Sequence, residues 1–188
     1  MSTPGRSSST TPSFCCAPDA PLQQILEFGE VTAHEIAHHW VGDLVTPVWW
    51  DDLWLNESFA EWSGIKIADQ WRPDLGLRTS LIVDALGAMN VDSQRAGRPI
   101  RESIADNTRI ASAFDSITYD KGGGVLAMFE SYMGEEVFQR GVHQHLLAHP
   151  HGNATAQDFF SALARAAGQP AIVDAFRTFV EQPGVPLI

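Results

Sequence analysis

The stretch HEIAHHWVGDLVTPVWWDDLWLNESFAE, residues 34–61, decides both the fold and the chemistry of this chain. Its first five residues form an HExxH pattern in a helical context, which places His34 and His38 one turn apart on the same helix face. Neutral imidazoles at that spacing can bind one zinc ion. Glu35 points in a different direction, from which it can take a proton from a zinc-activated water. The pattern therefore predicts a metal-binding helix.

A carboxylate on a second helix completes this predicted site. Glu57 follows His38 after 18 intervening residues. Glu61 lies one turn beyond Glu57, where it can hydrogen-bond a ligand histidine. Two histidines and one carboxylate leave a coordination position open, which is typical of catalytic rather than structural zinc sites. The competing interpretation, core histidines with surface acids, is less favourable because burying unpaired polar groups costs free energy.

This stretch closely resembles the aminopeptidase N family of gluzincins, in the thermolysin-like clan. The family combines HExxH with a later glutamate in a WLNE context, found here at residues 54–57. The resemblance implies that His34, His38 and Glu57 bind a single zinc ion and that Glu35 is the general base.

The resemblance continues in FDSITYDKG, residues 114–122. In the family, the tyrosine of this segment stabilises the tetrahedral intermediate, and the resemblance assigns that role to Tyr119. A phenol donor directed at a developing oxyanion is chemically suited to it.

The function implied by the resemblance is zinc-dependent peptide hydrolysis, with N-terminal residues removed from peptide substrates. Two alternatives stay open: a truncated, non-catalytic zinc-binding remnant or interaction module, and an epoxide hydrolase like the leukotriene relatives that share the ligands. The family's GxMEN segment, whose glutamate binds the substrate amine, has no counterpart between Met1 and Ala33. The GAMN sequence at residues 87–90 lies after the zinc motif and lacks the glutamate. We therefore expect incomplete substrate binding and weak or no turnover.

Composition excludes several other functions. The formal net charge is -11, which argues against nucleic acid and anionic membranes as partners because both attract basic surfaces. No apolar run approaches the roughly 20 residues of a membrane-spanning helix. The start of the chain lacks an apolar signal region, and the adjacent Cys15 and Cys16 are interpreted as free thiols. We therefore expect a cytoplasmic location; the sequence does not set the oligomeric state.

Turn signals and periodicity predict a mainly α fold, the helical subdomain of a thermolysin-like catalytic domain. Residues 1–22 are Ser/Thr/Pro-rich and expected to be disordered, and residues 23–188 are expected to form a partial catalytic domain. Thr155 and Gly168 are suited to cap a helix. Predicted helices cover residues 26–40, 53–70, 75–91, 115–133, 135–148, 155–168 and 170–182, with 92–114 irregular.

Two further expectations concern the surroundings of the site. The six tryptophans all fall between Trp40 and Trp71, and we expect them to pack the two metal-binding helices together. Asp51 and Asp52 are expected to cap or orient the second of these helices. Apolar neighbours of HExxH, such as Ile36, predict that the first helix is largely buried.

Overall fold

A computed structural model of the chain describes residues 19–94 and 97–185, and it is mainly helical as predicted. Cys15, Cys16 and most of the tail predicted to be disordered lie outside the described residues. Short 3₁₀ turns occur at Trp50–Asp52, Pro73–Leu75 and Asn107–Ala113. The α-helices are α1 (Leu22–Ala37), α2 (Leu53–Trp71), α3 (Leu77–Asp92), α4 (Gly122–Met133), α5 (Glu135–Ala148), α6 (Ala156–Ala167) and α7 (Ala171–Glu181).

The observed helix boundaries agree best with the predicted ones where the sequence contains clear capping residues. Helix α5 has the predicted bounds, and α6 begins after Thr155, which forms a capping box with Asp158. Gly168 ends α6 in the left-handed conformation, as predicted. Helix α1 differs from the prediction, since it starts at Leu22 and its last residue is Ala37.

Two short parallel strands are present although strand signals in the sequence are weak. Strand β1 (Val45–Pro47) pairs with β2 (Gly152–Ala154). The pair joins the segment that follows the HExxH motif to the loop between α5 and α6. Among the described residues, no helix has the length and hydropathy needed to cross a membrane.

Helix α2 lies at the centre of the fold, against α1, α3 and α4. Its Trp54 and Trp62 are buried in an aromatic core that includes Phe138, Phe159 and Phe160. Trp71 of α2 packs against α1 as expected, since a Cβ atom built at Gly29 would lie 3.0 Å from its ring, although half of the side chain is exposed. Three other tryptophans are also half exposed and lie outside the two helices: Trp40, Trp49 and Trp50. Trp49 instead donates from Nε1 to a loop carbonyl, that of Ile104, at 2.8 Å.

Helix α1 is less buried than its composition suggests. It buries only Gly29, Ala33 and Ala37, a stripe of small residues at four-residue spacing, while Ile36 is 46% exposed. The small stripe lets α1 approach α2 closely. The prediction of a largely buried helix is therefore wrong, because only these small residues are buried and Leu26 packs against the core while partly exposed.

Asp51 and Asp52 do not cap α2. Asp51 Oδ1 accepts from the Ile104 amide at 2.7 Å. The buried Asp52 accepts from Arg101 Nε at 2.6 Å and from the Ala156 amide at 3.0 Å. Both aspartates thus fasten distant loops to the start of α2.

The predicted fourth helix starts with a π-turn. Ile117–Lys121 forms this turn, and α4 follows directly. Asp115 caps the start of this turn, because its Oδ1 accepts from the amides of Ile117 at 3.0 Å and Thr118 at 3.1 Å. A π-turn contains one more residue than an α-turn and is frequently found at functional sites.

Candidate metal centre

The close approach of α1 and α2 brings the predicted ligands together. Gly64 of α2 faces the backbone of His34, and a Cβ atom built there would lie only 2.9 Å from the His34 amide nitrogen. This proximity places Glu57 opposite both histidines. His34 Nε2 lies 3.4 Å from Glu57 Oε2, and His38 Nε2 lies 3.6 Å from the same oxygen.

These three atoms have the spacing that a tetrahedral zinc ion needs. Ligands about 2.05 Å from a tetrahedral centre lie about 3.3 Å from one another. The two histidine Nε2 atoms are 3.1 Å apart, and the distances to Glu57 are only slightly longer. Among the described residues, no other group of three His, Cys, Asp or Glu side chains converges in this way.

Hydrogen bonds on the far side of each ring fix the tautomers. His34 Nδ1 donates to Glu61 Oε2 at 3.1 Å, and His38 Nδ1 donates to the Val41 carbonyl at 3.1 Å. In the neutral rings both Nε2 lone pairs then point at each other and at the Glu57 carboxylate. Three acceptors facing one point favour a positive charge between them, which a proton or a metal ion can supply. Glu61 therefore lies where the sequence places it.

The charges around the three converging side chains also favour a positive group between them. Burial disfavours the charged form of His34, but hydrogen bonds to Glu57 and Glu61 outweigh it and raise the pKa of His34 to about 9. Burial acts to raise the pKa of Glu57, yet contacts with His34, His38 and Tyr119 lower it to about 2. The Glu57 carboxylate therefore stays ionised and attracts positive charge.

Tyr119 is carried into the site by the π-turn. Its ring stacks on His34, with centroids 5.9 Å apart and planes 20° apart, and its hydroxyl lies within electrostatic range of the Glu57 carboxylate. Burial, followed by the charge of Glu57, raises the pKa of Tyr119. The phenol is therefore protonated at neutral pH and is available as a hydrogen-bond donor.

Glu35 is exposed on α1, one residue after His34. Its charge contributes to the raised pKa of Tyr119, so the Glu35 carboxylate lies within electrostatic range of the phenol. The structure thus gathers all the residues that the sequence predicted for the site.

Other residues that build the site were missed in the sequence. Ser58 Oγ donates to the Thr118 carbonyl at 2.6 Å and joins α2 to the π-turn. Arg98 Nη2 donates to Thr118 Oγ1 at 2.8 Å. Lys121 forms a buried ion pair with Asp92. Their partners are far away in the sequence, so no local pattern reveals them.

His145 and His149 lie one helical turn apart at the end of α5. Their rings lie 5.3 Å apart. His145 is buried against Phe159, and burial lowers its pKa to about 4. This environment keeps the His145 ring neutral, and its ring contact is with an aromatic side chain, so packing explains it.

A helical unit with an HExxH motif, a later glutamate and a site tyrosine defines a gluzincin-type peptidase class. The family model described as "Peptidase family M1 domain" matches residues 12–180. The chain belongs to peptidase family M1.

Several curated relatives are similar to most of this chain. "Probable aminopeptidase 1" of Saccharolobus solfataricus is 41% identical over 168 residues, which is 89% of this chain and 21% of that protein. "Tricorn protease-interacting factor F2" of Thermoplasma acidophilum is 38% identical over 83% of this chain and 20% of its own length. "Aminopeptidase 2, mitochondrial" of Saccharomyces cerevisiae is 36% identical over 90% of this chain and 18% of its length. The chain thus spans about a fifth of each relative.

Proposed function

We propose that this chain is the zinc-binding catalytic unit of an aminopeptidase that hydrolyses peptide bonds at the N-terminus of peptides. The observation that carries the proposal is the convergence of His34, His38 and Glu57 at zinc-like spacing beside the Tyr119 phenol. A zinc ion held by these three side chains would supply Lewis-acid chemistry, which makes water acidic enough to lose a proton near neutral pH. The cytoplasmic location expected from the sequence stays a prediction.

Glu35 moves the proton in this proposal. Its carboxylate accepts a proton from the water whose oxygen attacks the scissile carbonyl carbon. The C–N bond then breaks, and Glu35 returns the proton to the leaving amide nitrogen. The exposed position of Glu35 on α1 leaves room for a peptide beside it.

Tyr119 and Glu61 have supporting roles. The Tyr119 hydroxyl donates a hydrogen bond to the oxygen on which negative charge develops, and its raised pKa keeps the proton in place. Glu61 holds the His34 ring through Nδ1 and so fixes the direction of its Nε2 lone pair.

A metal-binding interaction module is the second candidate, and exposed apolar side chains favour it. Val31 and Ile36 on α1 are 42% and 46% exposed, and Trp40 just beyond is 49% exposed. Apolar surface of this kind is typical of an interface with a further protein segment. In that case the chain would bind zinc without turning over peptides.

Cleavage of a peptide panel by the zinc-loaded chain tests the proposal. Each peptide is offered with a free and with a blocked N-terminus, and products are separated by mass spectrometry. Glu35→Gln should abolish cleavage while zinc remains bound. The matched control is Glu27→Gln, which changes an exposed glutamate on the same helix and should retain activity.

The outcomes separate the candidates. Cleavage of free peptides only, lost in Glu35→Gln, supports an aminopeptidase. Equal cleavage of blocked peptides would replace it with an endopeptidase. Absence of cleavage, with zinc bound at one ion per chain, would refute catalysis by this chain and favour the interaction module.

A further inference from the structure

The π-turn that carries Tyr119 is held at both ends by buried polar contacts. At its C-terminal end, Lys121 has a side chain only 4% exposed and pairs with the fully buried Asp92 at the end of α3. Neither residue contacts the metal-binding side chains. A buried ion pair of this kind seldom adds net stability, so its presence beside a functional turn points to a positional role.

A third partner closes this cluster. Lys121 Nζ donates to the Gly184 carbonyl at 3.0 Å, and the Gly184 amide donates to Asp92 Oδ2 at 2.9 Å. These contacts therefore join the turn to α3 and to the segment after α7. We call the three residues the lysine clamp: Lys121, Asp92 and Gly184. Asp92 Oδ2 accepts from both the ammonium group and the Gly184 amide, while Asp92 Oδ1 is buried and has no hydrogen-bond partner among the described residues. The contacts on Oδ2 have little access to water, which strengthens them.

The N-terminal end of the turn is fixed separately. Arg98 binds Asp115 and Thr118 through its guanidinium group, and Ser58 donates to the Thr118 carbonyl. Tyr119 lies between this end and the lysine clamp. Both ends of the turn are therefore held by side chains from other parts of the chain, and between them the Tyr119 ring stacks on His34.

We infer that Lys121 is a positioning residue, which acts through the π-turn to set the place of the Tyr119 phenol over the metal centre. Lys121 does not touch the reacting atoms. Its catalytic consequence rests on the proposed function, whereas its effect on the Tyr119 ring does not. The two effects can therefore be measured apart.

Fluorine NMR measures the position of the ring without any need for turnover. The chain has two tyrosines, so Tyr132→Phe followed by 3-fluorotyrosine labelling leaves position 119 as the one reporter. In the zinc-loaded parent, stacking on His34 should displace this resonance from that of free 3-fluorotyrosine. Lys121→Met should move it toward the free value.

Two further variants keep the test decisive. Lys121→Met leaves a buried Asp92 charge unpaired and can unfold the chain, so Asp92→Asn with Lys121→Met removes both charges together. The matched control is Lys66→Met, which removes the other lysine and its ion pair with Glu130, remote from the site. The control should leave the resonance unchanged.

Kinetics supply the second readout if peptide cleavage is observed. The folded double variant should lose kcat on the order of 10²-fold, the cost of misplacing a group at a reacting centre, with KM little changed. A resonance at the parental position in a folded clamp variant would overturn the inference. Unfolding of both clamp variants would also overturn it, because the pair would then hold the whole fold. Absence of cleavage in the parent refutes only the proposed function.

Discussion

Gly122, the first residue of α4, offers a sharp test of how the site is packed. A Cβ atom at this position would lie 1.9 Å from Ser58 Oγ and 2.9 Å from Ser58 Cβ. Ser58 is fully buried, and its hydroxyl is committed to the Thr118 carbonyl at 2.6 Å. Gly122→Ala must therefore push the π-turn away from α2 and break this hydrogen bond.

The magnitude follows from three contributions. Overpacking of a tight contact costs about 1–3 kcal/mol. The lost hydrogen bond adds about 1 kcal/mol. Alanine is favoured over glycine inside a helix by about 0.5–1 kcal/mol, which offsets part of the cost. We expect Gly122→Ala to lower the free energy of unfolding by about 1–3 kcal/mol.

Urea denaturation followed by tryptophan fluorescence measures this free energy, with a chelator present so that metal binding does not contribute. Gly87→Ala is the matched control. Gly87 lies within α3, and a Cβ atom there would meet no atom within 4 Å. The same substitution should therefore stabilise the chain by about 0.5–1 kcal/mol.

A second variant, with Ser58 replaced, measures how much of the cost of Gly122→Ala comes from its contact with Ser58. Ser58→Gly removes the two atoms that a Cβ at position 122 would meet most closely, and the remaining Ile100 Cγ2, at 3.5 Å, is an ordinary van der Waals contact. In that background Gly122→Ala should be neutral or stabilising. An equal cost of Gly122→Ala in both backgrounds, or no cost with Ser58 present, would refute the packing argument.

Further predictions concern the metal and the pH dependence. Glu61→Gln should weaken zinc binding about 10–100-fold in chelator competition, because Nδ1 of His34 loses its carboxylate partner; Glu27→Gln should not. Since the pKa of His34 is about 9 without metal, zinc binding at pH 7 should release a proton, measured by calorimetry in buffers of different ionisation enthalpy. A heat independent of the buffer would contradict this. Burial lowers the pKa of His145 from 6.5 to about 4, so the unfolded chain takes up a proton there first as the pH falls. His145 should therefore cost up to about 3 kcal/mol of stability between pH 6.5 and 4, and His145→Leu should remove that loss in urea titrations.

Local rules account for the part of the site that could be predicted from the sequence. His34 and His38 share a helix face because of helical periodicity, and Thr155 caps α6 through an explicit capping box. The resemblance to the aminopeptidase N family that predicted the roles of Glu57 and Tyr119 rests on two short segments, residues 54–57 and 114–122. These features require no knowledge of distant partners.

Contacts between distant segments explain what could not be predicted. Lys121 and Asp92 are 29 residues apart, and Ser58 lies 60 residues from Thr118, so no periodicity links them. The π-turn has no sequence period of its own. Apolar residues such as Ile36 also failed as guides, because composition does not state which side of a helix meets the core.

The order of the helices along the chain has a consequence for how the site forms. Helices α1 and α2 are consecutive, and His34, His38 and Glu57 lie within or directly beside them, so this pair closes at a smaller entropic cost than contacts with later segments. Tyr119 comes about sixty residues later. During synthesis the helical hairpin leaves the ribosome before Tyr119 does, so the zinc proposed for this site would be captured before the phenol is made. The ion would then serve as a template on which the remaining helices assemble.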